Sequence, residues 1–371
     1  MNFTGNTDSE KKHIPQLDGL RGIAILFVIS YHYFGFMKVF GLGWSGVDLF
    51  FVLSGYLITS RLLDSRNTSS YFWRFYKNRI LRIFPLYYLV LITFLVAILT
   101  LPKNQHLVTL SYYTQHWAGF FFFFQNWIMI FFGQPKEQYL IHFWSLALEE
   151  QFYIVWPLII ALFGDNKKLL KILPAIICAA IIMRLSIYFY YPHNWQYAFN
   201  YFYNSFCRMD TFIIGAIISI AHQQKIVLTE KILNYLLISS FFLVLSGILV
   251  FRDLSFFSPF FSTFGYTIVA VLYAVILIKS LIEHSILHKK LKNPFFLFCG
   301  KISYGLYIFH WPILLIFNTR MYNWLSAHLV APLLLVRFFC AGVCLILTFV
   351  VSWLSYIYFE SYFLRLKYAH N

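Results

Sequence analysis

Charge is scarce in this sequence. Of 371 residues, 12% are charged and 60% are hydrophobic, and only 14 are acidic. An ordinary soluble domain carries about 25% charged residues, so a soluble globular fold is excluded. The short fingerprints of several enzyme classes are missing as well. No G-x-S-x-G, H-E-x-x-H, P-loop or dinucleotide-binding glycine pattern occurs. The five cysteines, Cys178, Cys207, Cys299, Cys340 and Cys344, form no C-x-x-C pair and no metal-ligand spacing. They read as small buried apolar residues, and no metal site is expected. A cleavable signal is also lacking: the first apolar run begins after about twenty polar residues, contains His32 and is followed by no A-x-A site.

What is present is apolar sequence in long runs. Stretches able to cross a hydrocarbon core of about 30 Å recur along the chain. We read ten spans, at 21–40, 44–60, 83–101, 143–163, 172–190, 207–222, 232–251, 261–281, 300–317 and 332–357. The expected fold is all-α and polytopic. It forms a single membrane-embedded domain over 1–371, with a short segment 1–16 before it, a tail 358–371 after it and no appended soluble domain. The aromatic share of 22% fits interfacial belts and carries no functional reading by itself.

The net charge of +15 raises the possibility of nucleic-acid binding. Its distribution argues against that, because no soluble basic module exists to hold it. With both termini placed inside, the inner segments and Lys279 hold 19 Lys and Arg, whereas the outer segments hold five: Lys38, Lys103, Lys136, Arg252 and Arg320. This positive-inside bias puts both ends in the cytoplasm. The stretch Trp117 to Phe132 is nearly long enough to span. Spanning would reverse the bias of every later loop, so it is expected to be interfacial or re-entrant on the outer side.

Ionisable residues inside membrane spans are costly and are functional candidates by default. Asp18 and Arg21 stand at the mouth of the first span and His32 within it. From Arg21 to His32 is eleven residues, three helical turns and about 20° of rotation, or about 16 Å of rise. His310, Asp48, Glu149, Arg208 and Asp210 fall at comparable depths on other spans. Five helices could then converge on one buried site. Bland readings exist for each: a satisfied histidine, an Arg208–Asp210 ion pair, carboxylates at a helix N-terminus, an Asp18–Arg21 pair at i, i+3. Arg74, Lys77, Arg79 and Arg82 form a basic cluster just before a span. It suits anionic lipid or the phosphates of an anionic cofactor, with Arg79 and Arg82 on one helix face. Ser54, before Gly55, is read mainly as a packing residue.

Several of these elements together resemble acyltransferase family 3, the OafA/YrhL-type integral membrane O-acyltransferases. Arg21 and His32 match an Arg/Lys-x10-His motif that follows Leu17-Asp18-Gly19-Leu20. The run Gly46 to Tyr56, including Asp48 and Ser54, resembles the second-helix motif, and Arg79-Ile80-Leu81-Arg82 the R-x-x-R motif. Trp144-Ser145-Leu146 with Glu149 to Tyr153, Arg208-Met209-Asp210 with Gly215, and Ile302 to Tyr307 with His310 and Pro312 resemble three later motifs. Phe359-Glu360 departs from the family, being followed by Ser361-Tyr362 where a basic residue and Pro are common.

The resemblance implies transfer of an acyl group, usually acetyl, from cytoplasmic acyl-CoA to a hydroxyl of a surface or exported carbohydrate in a bacterial inner membrane. It implies that Arg79 and Arg82 hold the CoA end and that Arg21 and His32 are essential. His32 is then expected to be the general base, with Glu149 or Asp48 orienting it and Arg21 on the donor's path. Ser54 joins Arg79 and Arg82 on the donor side. Asp210, Arg208, His310, Tyr304 and Trp144 are the expected acceptor contacts. Acetyl-CoA, a carbohydrate acceptor and membrane lipid are the expected partners. The runner-up is a transporter or flippase using the intramembrane His, Asp and Glu as a proton relay.

Overall fold

The structure is a computed structural model that describes residues 14–100, 111–163, 166–191, 198–329 and 331–366. Lys11, Lys12, Lys103 and Lys367, which enter the charge asymmetry, lie outside the described residues. Regular structure among the described residues is helical throughout, with no strand. The main helices are α1 (Pro15–Phe34), α2 (Gly46–Ser65), α3 (Tyr71–Thr100), α4 (Gln125–Phe132), α5 (Trp144–Leu162), α6 (Asn166–Tyr190), α7 (Ser205–Gln223), α8 (Glu230–Phe251), α9 (Tyr266–Leu281), α10 (Pro294–Lys301), α11 (Ser303–Ile313), α12 (Thr319–His328) and α13 (Leu333–Ser355).

Eight helical segments among the described residues are long and apolar enough to cross a membrane. They fall into two rings. In the stretches containing α2, α7, α9 and α5, 56–72% of the most apolar window is buried within the protein, against 17–28% for α3, α6, α8 and α13. The first group is the core and the second presents its side chains outward, as a lipid-facing shell must.

The remaining two expected spans differ from the other eight. The one at 21–40 is α1, which starts earlier, with Pro15 in its first turn. The one at 300–317 is broken into α10, α11 with Pro312 inside it, and a wide π-turn at Leu314–Asn318. These two polar or interrupted helices carry His32 and His310. The span expected at 83–101 is longer than anticipated: α3 begins at Tyr71, so Arg74, Lys77, Arg79 and Arg82 lie on the same continuous helix rather than in a preceding loop.

The stretch 117–132 forms two short helices, Trp117–Phe121 and α4, joined by a turn in which Phe123 takes φ +58. Eight residues rise only about 12 Å, too little to span. The Tyr87 and Tyr88 hydroxyls of α3 donate to the carbonyls of Phe120 and Phe121 at 2.6 and 2.8 Å, which pins the hairpin to the bundle.

Two seams set the positions of the polar residues. At the α2–α7 seam, a Cβ on Gly55 would strike the Phe212 carbonyl and one on Gly215 the Val52 carbonyl. Only glycine lets the two backbones approach this closely, and this brings Asp48 of α2 opposite Arg208 of α7. At the second seam, Gly22 of α1 meets the Phe296 carbonyl, and Gly300 of α10 meets the Asp18 carbonyl. That contact holds the Arg21 end of α1 against α10.

Candidate active site

The structure distributes the expected site residues over three clusters rather than one. The first is a cavity at the basic end of the bundle, lined from α1, α2, α3, α5 and α11, with about 780 Å³ of space when its open mouth is included. Arg21, Arg79 and Arg82 line it together with Glu149, so the wall carries an excess of positive charge. Arg79 and Arg82 face it together because they are one helical turn apart. Arg79 is only 6% exposed, and its guanidinium lies 5.5 Å from the Tyr153 ring centroid, yet its Nε has no hydrogen-bond partner. Arg79 also borders a neighbouring pocket with Arg61, Arg74 and Asn78.

The polar groups on the opposite wall are linked. The Tyr153 hydroxyl donates to Glu149 at 3.2 Å and lies 2.5 Å from Ser54 Oγ. Tyr304 donates to the Ile83 carbonyl at 2.7 Å. Arg21 contacts Asp18 at 3.4 Å. Arg21, Arg79, Arg82, Glu149, Ser54 and Tyr304 therefore do meet at one space. Tyr307 and Ser145 line it too, with their hydroxyls 2.5 Å apart, and Tyr307 donates to the His142 carbonyl at 2.8 Å.

The second cluster lies further along α1. His32 is half-buried and its Nδ1 is 3.0 Å from Nε2 of the fully buried His310. The two rings stack with centroids 5.0 Å apart, and Trp311 lies 4.5 Å from His32. His310 Nδ1 donates to the Tyr307 carbonyl at 2.7 Å. The buried His142 ring is 5.3 Å from His310, and its Nε2 donates to the Ile308 carbonyl at 3.1 Å.

The third cluster is a set of ion pairs with no solvent exposure. Arg208 donates to Asp48 at 2.5 Å and Arg184 to Asp210 at 2.9 Å. Arg184 is further held by the Thr263 carbonyl, the Thr267 hydroxyl and the Cys207 carbonyl. The Arg208 guanidinium lies 3.8 Å from the centre of the Tyr266 ring.

Several expected groupings are corrected by this arrangement. Asp48 does not reach His32; the α2–α7 seam commits it to Arg208. Glu149 does not orient His32 either, because it shares a cavity with Arg21 at the other end of an eleven-residue stretch of α1 that rises about 16 Å. Asp210 pairs with Arg184, not with Arg208. Arg208 and Asp210, both with no exposed surface, cannot touch an acceptor from where they stand. The same holds for His310, and Trp144 is 6% exposed and packs 4.4 Å from Phe202. Sequence reading missed Arg184 and His142, and it named Tyr153 and Tyr307 within motifs without giving them a role. An arginine within the 172–190 apolar run was a visible signal for the first, and a histidine two residues before Trp144 for the second.

Comparison with known proteins narrows the chemistry. The sequence profile of the acyltransferase domain family Acyl_transf_3 matches residues 14–357. The chain belongs to this acyltransferase family. It is 32% identical to the peptidoglycan O-acetyltransferase OatA of Listeria monocytogenes over 83% of this chain and 50% of that protein. It is 30% identical to the putative peptidoglycan O-acetyltransferase YrhL of Bacillus subtilis, over 82% of this chain and 49% of that one. For the O-acetyltransferase OatA of Staphylococcus aureus the figures are 28%, 83% and 52%. The chain thus spans about half the length of these curated relatives. No solved structure matches it. The apolar helices and the family together make it an integral, multi-pass protein of the bacterial cytoplasmic membrane. Among the described residues, no group of three or more His, Cys, Asp or Glu is placed to hold a metal ion.

Proposed function

We propose that this acyltransferase moves an acetyl group from acetyl-CoA to a hydroxyl of a cell-wall glycan, with His32 as the general base. One observation carries the donor assignment: three arginines face a single cavity at the basic end, and Arg79 Nε is buried there without a partner. A buried, unsatisfied guanidinium N–H is costly, and a phosphate oxygen of the donor would satisfy it with a charge-assisted bond. The neighbouring pocket, where Arg61, Arg74 and Arg79 outnumber Asp64, gives the nucleotide end of the same donor a second basic surface. The positive-inside bias supports a cytoplasmic position for this end of the bundle, the side on which acyl-CoA is made. The carbohydrate acceptor is suggested by the names of the OatA and YrhL relatives.

Arg21, Arg79 and Arg82 bind the donor phosphates, with Glu149 and Tyr153 balancing their charge on the facing wall. The thioester arm runs past Tyr307 and Ser145 toward His32. The acceptor hydroxyl attacks the thioester carbonyl as its proton passes to His32 Nε2. The new O–C bond forms, the C–S bond breaks, and the CoA sulfur leaves as thiolate and takes the proton from His32, which returns to its neutral form.

The test uses purified protein in lipid nanodiscs, with radiolabelled acetyl-CoA and glycan strands as acceptor. Label should appear as ester on the glycan, and a well-folded His32→Ala variant should lose transfer. Normal transfer by that variant removes His32 from the mechanism. Movement of substrate across vesicles with no acetyl-CoA consumed removes the transferase reading altogether.

A further inference from the structure

We propose that His310 is the positioning residue that fixes the tautomer of His32, holding a proton on its Nδ1 and leaving Nε2 bare to receive the acceptor's proton. The inference rests on His32 serving as the base in the proposed transfer. Its geometric part stands independently of that.

The argument follows from which atoms are able to donate. The Tyr307 carbonyl oxygen only accepts, so His310 Nδ1, 2.7 Å away, must carry a hydrogen. A neutral His310 then has only a lone pair on Nε2. His32 Nδ1 is 3.0 Å from that lone pair and must be the donor. A neutral imidazole with hydrogen on Nδ1 has a free lone pair on Nε2, which is the form a general base requires. The chain therefore reads in one direction: His32 Nδ1–H to His310 Nε2, then His310 Nδ1–H to the Tyr307 carbonyl.

A doubly protonated His310 would reverse the first bond and put the hydrogen on His32 Nε2. Its surroundings oppose that charge. His310 has no exposed surface, and no carboxylate is hydrogen-bonded to it among the described residues. Its ring neighbours are His32, His142, Tyr307 and Trp311. An isolated buried charge among such groups is strongly disfavoured.

The pair is also mechanically held. The Tyr33 hydroxyl donates to the His310 carbonyl at 2.8 Å and lies 2.7 Å from the Thr348 hydroxyl, tying α1, α11 and α13 together at this level. Trp311 packs 4.5 Å from His32 and is anchored by its indole N–H to the Gln138 carbonyl at 2.7 Å. His310 thus does for His32 what a buried carboxylate does for the histidine of a hydrolase triad, but without adding a charge to the membrane interior.

Two variants and one spectrum test this. His310→Phe keeps an aromatic ring but removes the acceptor nitrogen, and His310→Gln restores an acceptor oxygen near the position of Nε2. In the acetyl-transfer assay, His310→Phe should lower kcat by about 100-fold or more with KM for both substrates unchanged, and His310→Gln should recover at least tenfold of that loss. In protein labelled with 15N-histidine, His32, assigned by its disappearance in His32→Asn, should show hydrogen on Nδ1 in the wild type and shift toward Nε2 in His310→Phe. Hydrogen on His32 Nε2 in the wild type overturns the proposal, and this reading needs no His310 variant to fold. A folded His310→Phe with wild-type kcat also overturns it. If His32→Ala transfers normally while the spectrum shows the Nδ1 form, the failure lies with the proposed base and not with the histidine geometry.

Discussion

Two places in this bundle bury arginine beside carboxylate, and they are finished differently. In the α2–α6–α7 cluster, Arg184 uses all three of its nitrogens on Asp210, Thr267 and the Thr263 and Cys207 carbonyls. Arg208 donates to Asp48 through Nη2 and lies on Tyr266, while its Nε, its Nη1 and Asp48 Oδ2 are sealed in the core without hydrogen-bond partners among the described residues. In the cavity at the basic end, Arg21, Arg79 and Arg82 outnumber Glu149, and Arg79 Nε is left unsatisfied. Both sites carry the desolvation cost of buried charge. The first offsets that cost through the Arg184 bonds, the Arg208–Asp48 pair and the Tyr266 ring, leaves its unpaired atoms sealed where neither pocket beside Arg79 reaches them, and so ties helices together. The second leaves an unpaired N–H on an arginine that lines an open cavity, which is how a site for an anionic ligand is built.

The comparison breaks most sharply on stability. Asp210→Ala strands Arg184 in the core, and removing one partner of a buried pair costs about 3–5 kcal/mol. Detergent-solubilised Asp210→Ala should melt far below the wild type or fail to elute as a single species. Arg79→Ala should lose far less, since no hydrogen bond of its Nε is lost and only its packing against the Phe75 and Tyr153 rings goes. If the two variants lose equal stability, the cavity is a structural cluster as well.

The next effect is on donor binding. Hydrogen bonds to a charged group are worth about 1.5–3 kcal/mol, so Arg79→Ala should raise KM for acetyl-CoA about 10- to 100-fold while changing kcat little. Arg79→Lys keeps the charge but loses the fork that grips phosphate, and should recover only part of the affinity. An unchanged donor KM in Arg79→Ala would place the donor elsewhere.

Composition and spacing made one half of this comparison legible. Arg79 and Arg82 one turn apart and the charge asymmetry along the chain pointed to a basic mouth, and those two arginines do share a cavity with Arg21 and Glu149. The other half was not legible, because it depends on seams. Sequence depth placed Asp48, Arg208, Asp210 and His32 at one level, which suggested one pocket. Rotation of α2 against α7 about Gly55 and Gly215 instead turns Asp48 toward Arg208, and nothing in the one-dimensional pattern encodes that angle. His32 meeting His310 was hidden for a similar reason: the segment bearing His310 is broken at Ile302 and again at the π-turn after Ile313, so its facing could not be counted in turns from its start.

A smaller effect sharpens the cavity wall. Ser54 Oγ is 2.5 Å from the Tyr153 hydroxyl, which also reaches Glu149. Ser54→Ala removes one neutral hydrogen bond, worth about 1 kcal/mol. It should raise the donor KM by less than tenfold, with no change in melting beyond that increment. A loss as large as that of Arg79→Ala would mean that the hydroxyl itself meets the donor.

The smallest expected effect is the most discriminating. Asp48→Leu alone leaves the Arg208 guanidinium without its carboxylate and should destabilise the protein as Asp210→Ala does. Adding Arg208→Met removes the orphaned charge, and buried ion pairs replaced by apolar residues of similar size are often neutral or stabilising by about 1–4 kcal/mol. The double variant should therefore melt near the wild type, well above either single variant, with its transfer rate retained. This follows only if the pair is architecture, because Asp48 and Arg208 have no exposed surface and line neither pocket beside Arg79. A double variant that melts normally but transfers nothing would return Asp48 to the reaction. The contrast between a closed ion cluster and an open one would then fail, since both would be serving the substrate.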